Sequence, residues 1–127
     1  MSSTFVDTSA ILALLDRGDA HHAEAAPAWD ELAASEAALV TTNYVVVETI
    51  AILQHRLGLK AVREFVRELL PLIDIAFVDP AVHAAALGAL LAASRRHLSL
   101  VDCASFEVMR QRHLQHAFAF DRHFDEL

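Results

Sequence analysis

Short apolar runs alternate along this chain with longer stretches of helical spacing. Thr4-Phe5-Val6 has strand character and runs straight into Asp7, and a helical pattern begins at once in Ala10-Ile11-Leu12-Ala13-Leu14-Leu15. Asp16-Arg17-Gly18-Asp19 predicts a turn with Gly18 as the helix stop, and Ala20 to Ala34 predicts a second helix, bent near Pro27. Ala38-Leu39-Val40-Thr41 predicts a strand. Thr42-Asn43 offers an N-cap for a helix from Tyr44 to Leu57, closed by Gly58. Val45-Val46-Val47 would also suit a strand, but the length of the segment and the glycine stop favour the helix. Helical spacing resumes from Leu59 to Leu72 through Val62, Phe65, Val66, Leu69 and Leu70. Ile73 to Val78 alternates as a strand, and Asp79-Pro80 opens a helix over Ala81 to Arg96. His97 to Leu100 is a connector, Val101 to Arg112 a helix, and Ala117-Phe118-Ala119-Phe120 a last strand ending at Asp121.

Strands alternating with helices imply an α/β fold, a parallel sheet covered on both faces. With 127 residues, no linker and no repeat, the chain is expected to form one domain over 1–127. In such a sheet Asp7 would lie at the carboxyl end of a buried strand, in the crevice where open α/β sheets place ligands, with Thr8 or Ser9 capping the next helix. A hydrophobic fraction of 55% and the lack of polar low-complexity segments argue against disorder. No apolar run reaches the ~18 residues that span a bilayer, and no basic region precedes a signal-type apolar core. Cys103 is the single cysteine, so no internal disulfide forms, and a cytoplasmic location without membrane contact is expected. The formal net charge of −7 disfavours nonspecific attraction to nucleic acid, although acids that bind divalent cations reverse that sign locally.

Four acids fall where the pattern calls for apolar residues or a strand end. Asp7 ends the first strand and Asp121 the last, Glu48 interrupts the apolar run from Tyr44 to Leu53, and Asp102 sits in the first turn of a helix. Each has a local explanation: a turn or strand end for the two aspartates, a wet helical stripe shared with Tyr44 and His55 for Glu48, the helix macrodipole for Asp102. Two strand ends and two helix starts can nevertheless converge on one edge of a parallel sheet. Four carboxylates there would repel strongly unless cations neutralised them. Oxygen donors without thiolates suit hard cations, Mg²⁺ or Mn²⁺, and such a site fits hydrolysis of a phosphodiester by an activated water, with no protein nucleophile.

These residues resemble the PIN-domain ribonucleases, and within them the toxins of VapBC-type toxin–antitoxin pairs. The resemblance covers nearly the whole chain. It is carried by Phe5-Val6-Asp7-Thr8-Ser9, by Thr42-Asn43-Tyr44 through Glu48-Thr49, by Leu98-Ser99-Leu100-Val101-Asp102-Cys103, and by Phe118 to Phe124. It implies a three-layer α/β/α PIN-like domain with a short central parallel sheet flanked by helices. The implied activity is Mg²⁺- or Mn²⁺-dependent endoribonucleolytic cleavage of a structured or specific RNA. The family's four acids fall on Asp7, Glu48, Asp102 and Asp121, with Asp7 and Asp102 as the foremost metal ligands. Glu48 would ligate directly or through water, Asp121 would support a second cation or position the nucleophile, and Ser9 would orient Asp7 or a metal water. Where the family often carries a hydroxyl two places before the fourth acid, this chain has Ala119; Asp125 is the nearest substitute acid. The resemblance also implies a cognate antitoxin protein that blocks the site and a homodimer, for which the apolar helices from Tyr44 to Leu72 offer a surface.

The remaining candidates are weaker. Eight histidines raise a zinc reading, but His113 and His116 lie where a helix passes into a strand, and no His-Glu-x-x-His motif occurs. His21 and His22, adjacent in sequence, make a poor chelate. Cys103 suits a small buried filler and Trp29 the core. Arg95-Arg96-His97 and Arg110-Gln111-Arg112 suit helix carboxyl ends, whereas Arg122 and His123, beside Asp121, are better placed to meet phosphate. A phosphate-accepting receiver domain would need an acidic pair after the first strand and a late lysine. Thr8-Ser9 follows Asp7, and the single lysine is Lys60. A non-catalytic PIN-like module binding RNA or protein, the alternative to a nuclease, would be expected to lack one or more of the four acids.

Overall fold

A computed structural model of the chain describes residues 3–121 and residue 124. Among the described residues four short strands form one sheet: β1 (Ser3–Val6), β2 (Ala38–Thr42), β3 (Asp74–Ala76) and β4 (His116–Phe118). Their order is β3-β2-β1-β4 and every pairing is parallel. Successive strand residues point to opposite faces, and Phe5 and Val6 are both fully buried. Helices therefore cover both faces, as the alternating pattern implies.

The helices are α1 (Thr8–Leu15), α2 (His22–Ala34), α3 (Asn43–Leu57), α4 (Leu59–Glu64), α5 (Pro80–Ala93) and α6 (Leu100–Gln111). Their ends follow local chemistry. The Thr42 hydroxyl accepts the Val45 amide at the start of α3, and Asp79 caps α5 ahead of Pro80. Gly58 closes α3 at φ +85°, ψ −178°, a region open essentially to glycine alone. Beyond α4 the helical path continues as predicted to Leu72, but through a wide π turn (Phe65–Leu69) and a tight 3₁₀ turn (Leu70–Leu72). That change of pitch keeps Phe65 and Leu69 in the core.

Some boundaries differ from the sequence reading. Gly18 does not end α1: Asp16 does, its amide donating to Leu12 and its carboxylate accepting the Gly18 amide. β4 stops at Phe118 rather than running to Asp121, because its partner β1 ends at Val6, where the chain turns into α1. The Asp7 amide makes the last bond, to the Phe118 carbonyl at 3.1 Å. α5 ends at Ala93, with Ser94 left-handed, so Arg95, Arg96 and His97 lie in the following loop and not in a helix terminus. Trp29 packs on the core as expected, its ring 6.3 Å from Phe118. Cys103 is buried with Ala86 and Ala104 in a smaller cluster. Among the described residues no helix is long and apolar enough to cross a membrane.

Candidate active site

The strand order reverses at β1: β2 and β3 follow on one side and β4 lies on the other. Such a switch point opens a crevice at the carboxyl ends of the two strands. Asp7 stands at that point and Asp121 three residues past the end of β4.

Asp7 itself is the N-cap of α1, in place of Thr8 or Ser9. Its Oδ2 accepts the Ser9 amide at 3.1 Å and the Ser9 hydroxyl at 2.6 Å, and the residue is only 3% exposed. Ser9 Oγ also accepts the Phe120 amide at 2.9 Å. Burial pushes the Asp7 carboxyl up to about 6 from 3.8; the two Ser9 bonds oppose this, and the charges of Asp102 and Glu48 add to it. Asp102 closes a capping box: its amide donates to Ser99 Oγ and its Oδ2 accepts the Ser99 amide, each at 3.0 Å. Asp102 thus lies in the first turn as expected, though its local role is this capping box, and its buried carboxylate is also felt by Asp7 and Glu48. Glu48 lies half-buried on α3 beside the buried residues Val45 and Thr49. Burial raises its pKa, the Thr8 side chain lowers it, and the charges of Asp102 and Asp121 raise it further.

Four acids from β1, α3, α6 and the segment after β4 thus share one electrostatic neighbourhood. From sequence Thr8 had only a capping role and Thr49 none, and nothing signalled that the two would meet. Both are buried, their hydroxyls are 3.0 Å apart across 41 residues, and Thr8 acts on Glu48. A hydroxyl beside an acid is common, so only the fold reveals the pair.

The other candidates have different partners. His21 stacks face to face on Phe120 at 4.6 Å, while the His22 ring donates to the Ala13 carbonyl. His113 sits in a turn at φ 56° and His116 opens β4, so the two share no helical face. Arg110 pairs with Glu107. Burial pushes the Cys103 thiol up, and the Asp102 charge adds to this, the opposite of what a nucleophilic cysteine needs. A cavity of about 620 Å³ lined by Thr4, Leu32, His116 and Phe118 among others includes none of the four acids. Arg122, His123 and Asp125 lie outside the described residues.

The donor set fits a hard cation: all four ligand candidates are carboxylates, and burial together with mutual repulsion raises the proton affinity of two of them. Among the described residues no three His, Cys, Asp or Glu side chains form a ready-made coordination group. An ion held by one or two carboxylates and its own waters, the usual manner of Mg²⁺, needs no such cage.

A parallel α/β sheet with acids gathered at its switch point is the architecture of the PIN domain, and the PIN-domain profile matches residues 4–127. The chain belongs to the PIN-domain family. It is 36% identical over 121 residues to the 23S rRNA-specific endonuclease VapC20 of Mycobacterium tuberculosis, in strains CDC 1551 / Oshkosh and H37Rv, spanning 94% of this chain and 90% of the relative. The crystal structure of M. tuberculosis VapC20, a sarcin–ricin loop cleaving toxin, superposes with a TM-score of 0.85 at 33% identity, covering 98% of this chain and 94% of that one. Sequence and fold together place the chain with the VapC toxins, the endoribonuclease components of toxin–antitoxin pairs.

Proposed function

We propose that residues 1–127 act as one PIN unit that hydrolyses phosphodiester bonds of RNA at the Asp7–Glu48–Asp102–Asp121 cluster, with Mg²⁺ or Mn²⁺. The observation that carries this reading is the place of buried Asp7 at the sheet's switch point, where its carboxyl and that of Glu48 are pushed up in part by neighbouring acids from α6 and the segment after β4. Asp7 and Asp102 would hold the cation, and Glu48 would ligate directly or through water. Asp121 would support a second cation or position the attacking water, and Ser9 holds Asp7 in place. When bound, the metal neutralises charge at the phosphate and makes a water nucleophilic near neutral pH. The likeness to VapC20 supports a structured ribosomal RNA as the target and a cytoplasmic setting. A VapB-type antitoxin is the expected partner, and an arginine entering the acid cluster is one way for it to block the site. A second copy of the chain would cover the apolar surface of α3 to the 3₁₀ turn, where Val47 is 67% and Leu72 54% exposed.

The test is incubation of the purified protein with total cellular RNA, in Mg²⁺ or Mn²⁺ and in EDTA, beside Asp7→Asn. Discrete fragments that require metal and vanish in the variant are expected, with ribosomal RNA the first place to map the cut. Cleavage that persists in EDTA or in Asp7→Asn would overturn the site. A folded, metal-loaded protein that cuts nothing would instead be a binding module.

A further inference from the structure

Asp121 reaches the acid cluster without the support of the sheet, since β4 ends at Phe118. Residues 119–121 are carried past β1 by other contacts. On one side the His21 ring lies parallel to Phe120 with an interplanar angle of 11°. On the other, the Phe120 amide is held by Ser9 Oγ, 111 residues away in sequence. The hydrogen-bond directions there are fixed by chemistry. An amide N–H only donates and an ionised carboxylate only accepts, so the hydroxyl accepts from Phe120 and donates to Asp7. The two bonds run in the same sense, and each polarises the other.

We propose that Ser9 is a positioning residue for the fourth acid as well as the first, a clamp that fixes the Asp121-bearing segment against Asp7 through the Phe120 amide. The clamp rests on the reading of the four acids as the nuclease site. It assigns to Ser9 a task that no side chain at residue 119, an alanine, can perform. Removing Oγ leaves the Phe120 amide without its acceptor and Asp7 without its shorter bond. Residues 119–121 then have their nearest ladder hydrogen bond at Phe118.

The experiment compares the full chain with Ser9→Ala, Ser9→Thr, Asp121→Asn and the double variant Ser9→Ala/Asp121→Asn. Amide hydrogen exchange at Phe120, read by NMR, is expected to speed up on the order of 10-fold or more in Ser9→Ala, and Ser9→Thr should restore protection. Single-turnover RNA cleavage is expected to fall about 10–100-fold in Ser9→Ala, the usual range for a residue behind a metal ligand. In the Asp121→Asn background the same substitution should cost markedly less, because part of its effect passes through Asp121. Unchanged Phe120 exchange in Ser9→Ala overturns the clamp, and so does an effect that multiplies in full with that of Asp121→Asn. The exchange readout needs no cleavage, so a failure of the nuclease reading is seen separately from a failure of the clamp.

Discussion

Replacing Asp7 with asparagine separates what this residue does for the fold from what it does for the site. Asparagine is as good an N-cap as aspartate, and its carbonyl oxygen can accept the same two bonds from Ser9. The capping contribution therefore survives, while the buried charge disappears. The wild-type carboxyl titrates near 6 in the fold against 3.8 ordinarily. At 1.36 kcal/mol per pH unit, ionised Asp7 costs the folded state about 3 kcal/mol at pH 7. The sign follows from proton linkage: between 3.8 and about 6 the folded chain binds more protons than the unfolded one, so stability falls as pH rises through that window. Asp7→Asn should thus match wild type near pH 4 and exceed it increasingly up to pH 6. At pH 7 in EDTA the gap should reach about 2–3 kcal/mol, or on the order of 10 °C in Tm. Added Mg²⁺ or Mn²⁺ should stabilise wild type and narrow the gap, while leaving Asp7→Asn unmoved. Thermal and urea unfolding across this pH range provide the assay. A variant no more stable than wild type at pH 7 without metal would refute the claim that Asp7 is strained for its task.

Two further outcomes test the surroundings of the site and its scaffold. Thr8→Val strands the buried Thr49 hydroxyl and removes a group that lowers the Glu48 pKa, so it should cost about 1–3 kcal/mol in urea unfolding. Adding Thr49→Val should recover part of that loss; strictly additive losses would show that the two hydroxyls are not partners. Gly58→Ala should destabilise by about 1–3 kcal/mol from backbone strain alone, since a Cβ there meets nothing within 4 Å. An unchanged urea midpoint would show that α3 ends differently.

The helices and strands were legible because their signals are local. Thr42 before the Val45-Val46-Val47 run, Gly58 after Leu57 and Asp79 before Pro80 each mark a boundary through the chemistry of one or two residues. The boundaries that moved depend on remote partners. β4 is cut short at Phe118 because β1 has no residue left to pair with, and the turn at Asp16 is made by that residue's own side chain rather than by Gly18. The wide turn at Phe65–Leu69 also left no mark on the apolar spacing, which fits either pitch. Among the candidate site residues, the four acids stood out by interrupting apolar patterns or ending strands. The hydroxyls of Thr8 and Thr49 did not, since a threonine in a helix or after a strand breaks nothing.

By itself, the sequence determined which acids are present, in what order and on what kinds of element, because periodicity and capping are read over a few residues. The tertiary structure alone decided that β4 lies beside β1 rather than beside β3, which brings Asp121 within electrostatic reach of Glu48 and the Phe120 amide to Ser9. It also decided that Asp7 is buried deeply enough to titrate near 6. Both depend on which surfaces pack together across more than a hundred residues, and a local pattern specifies that a face must be buried without specifying against what.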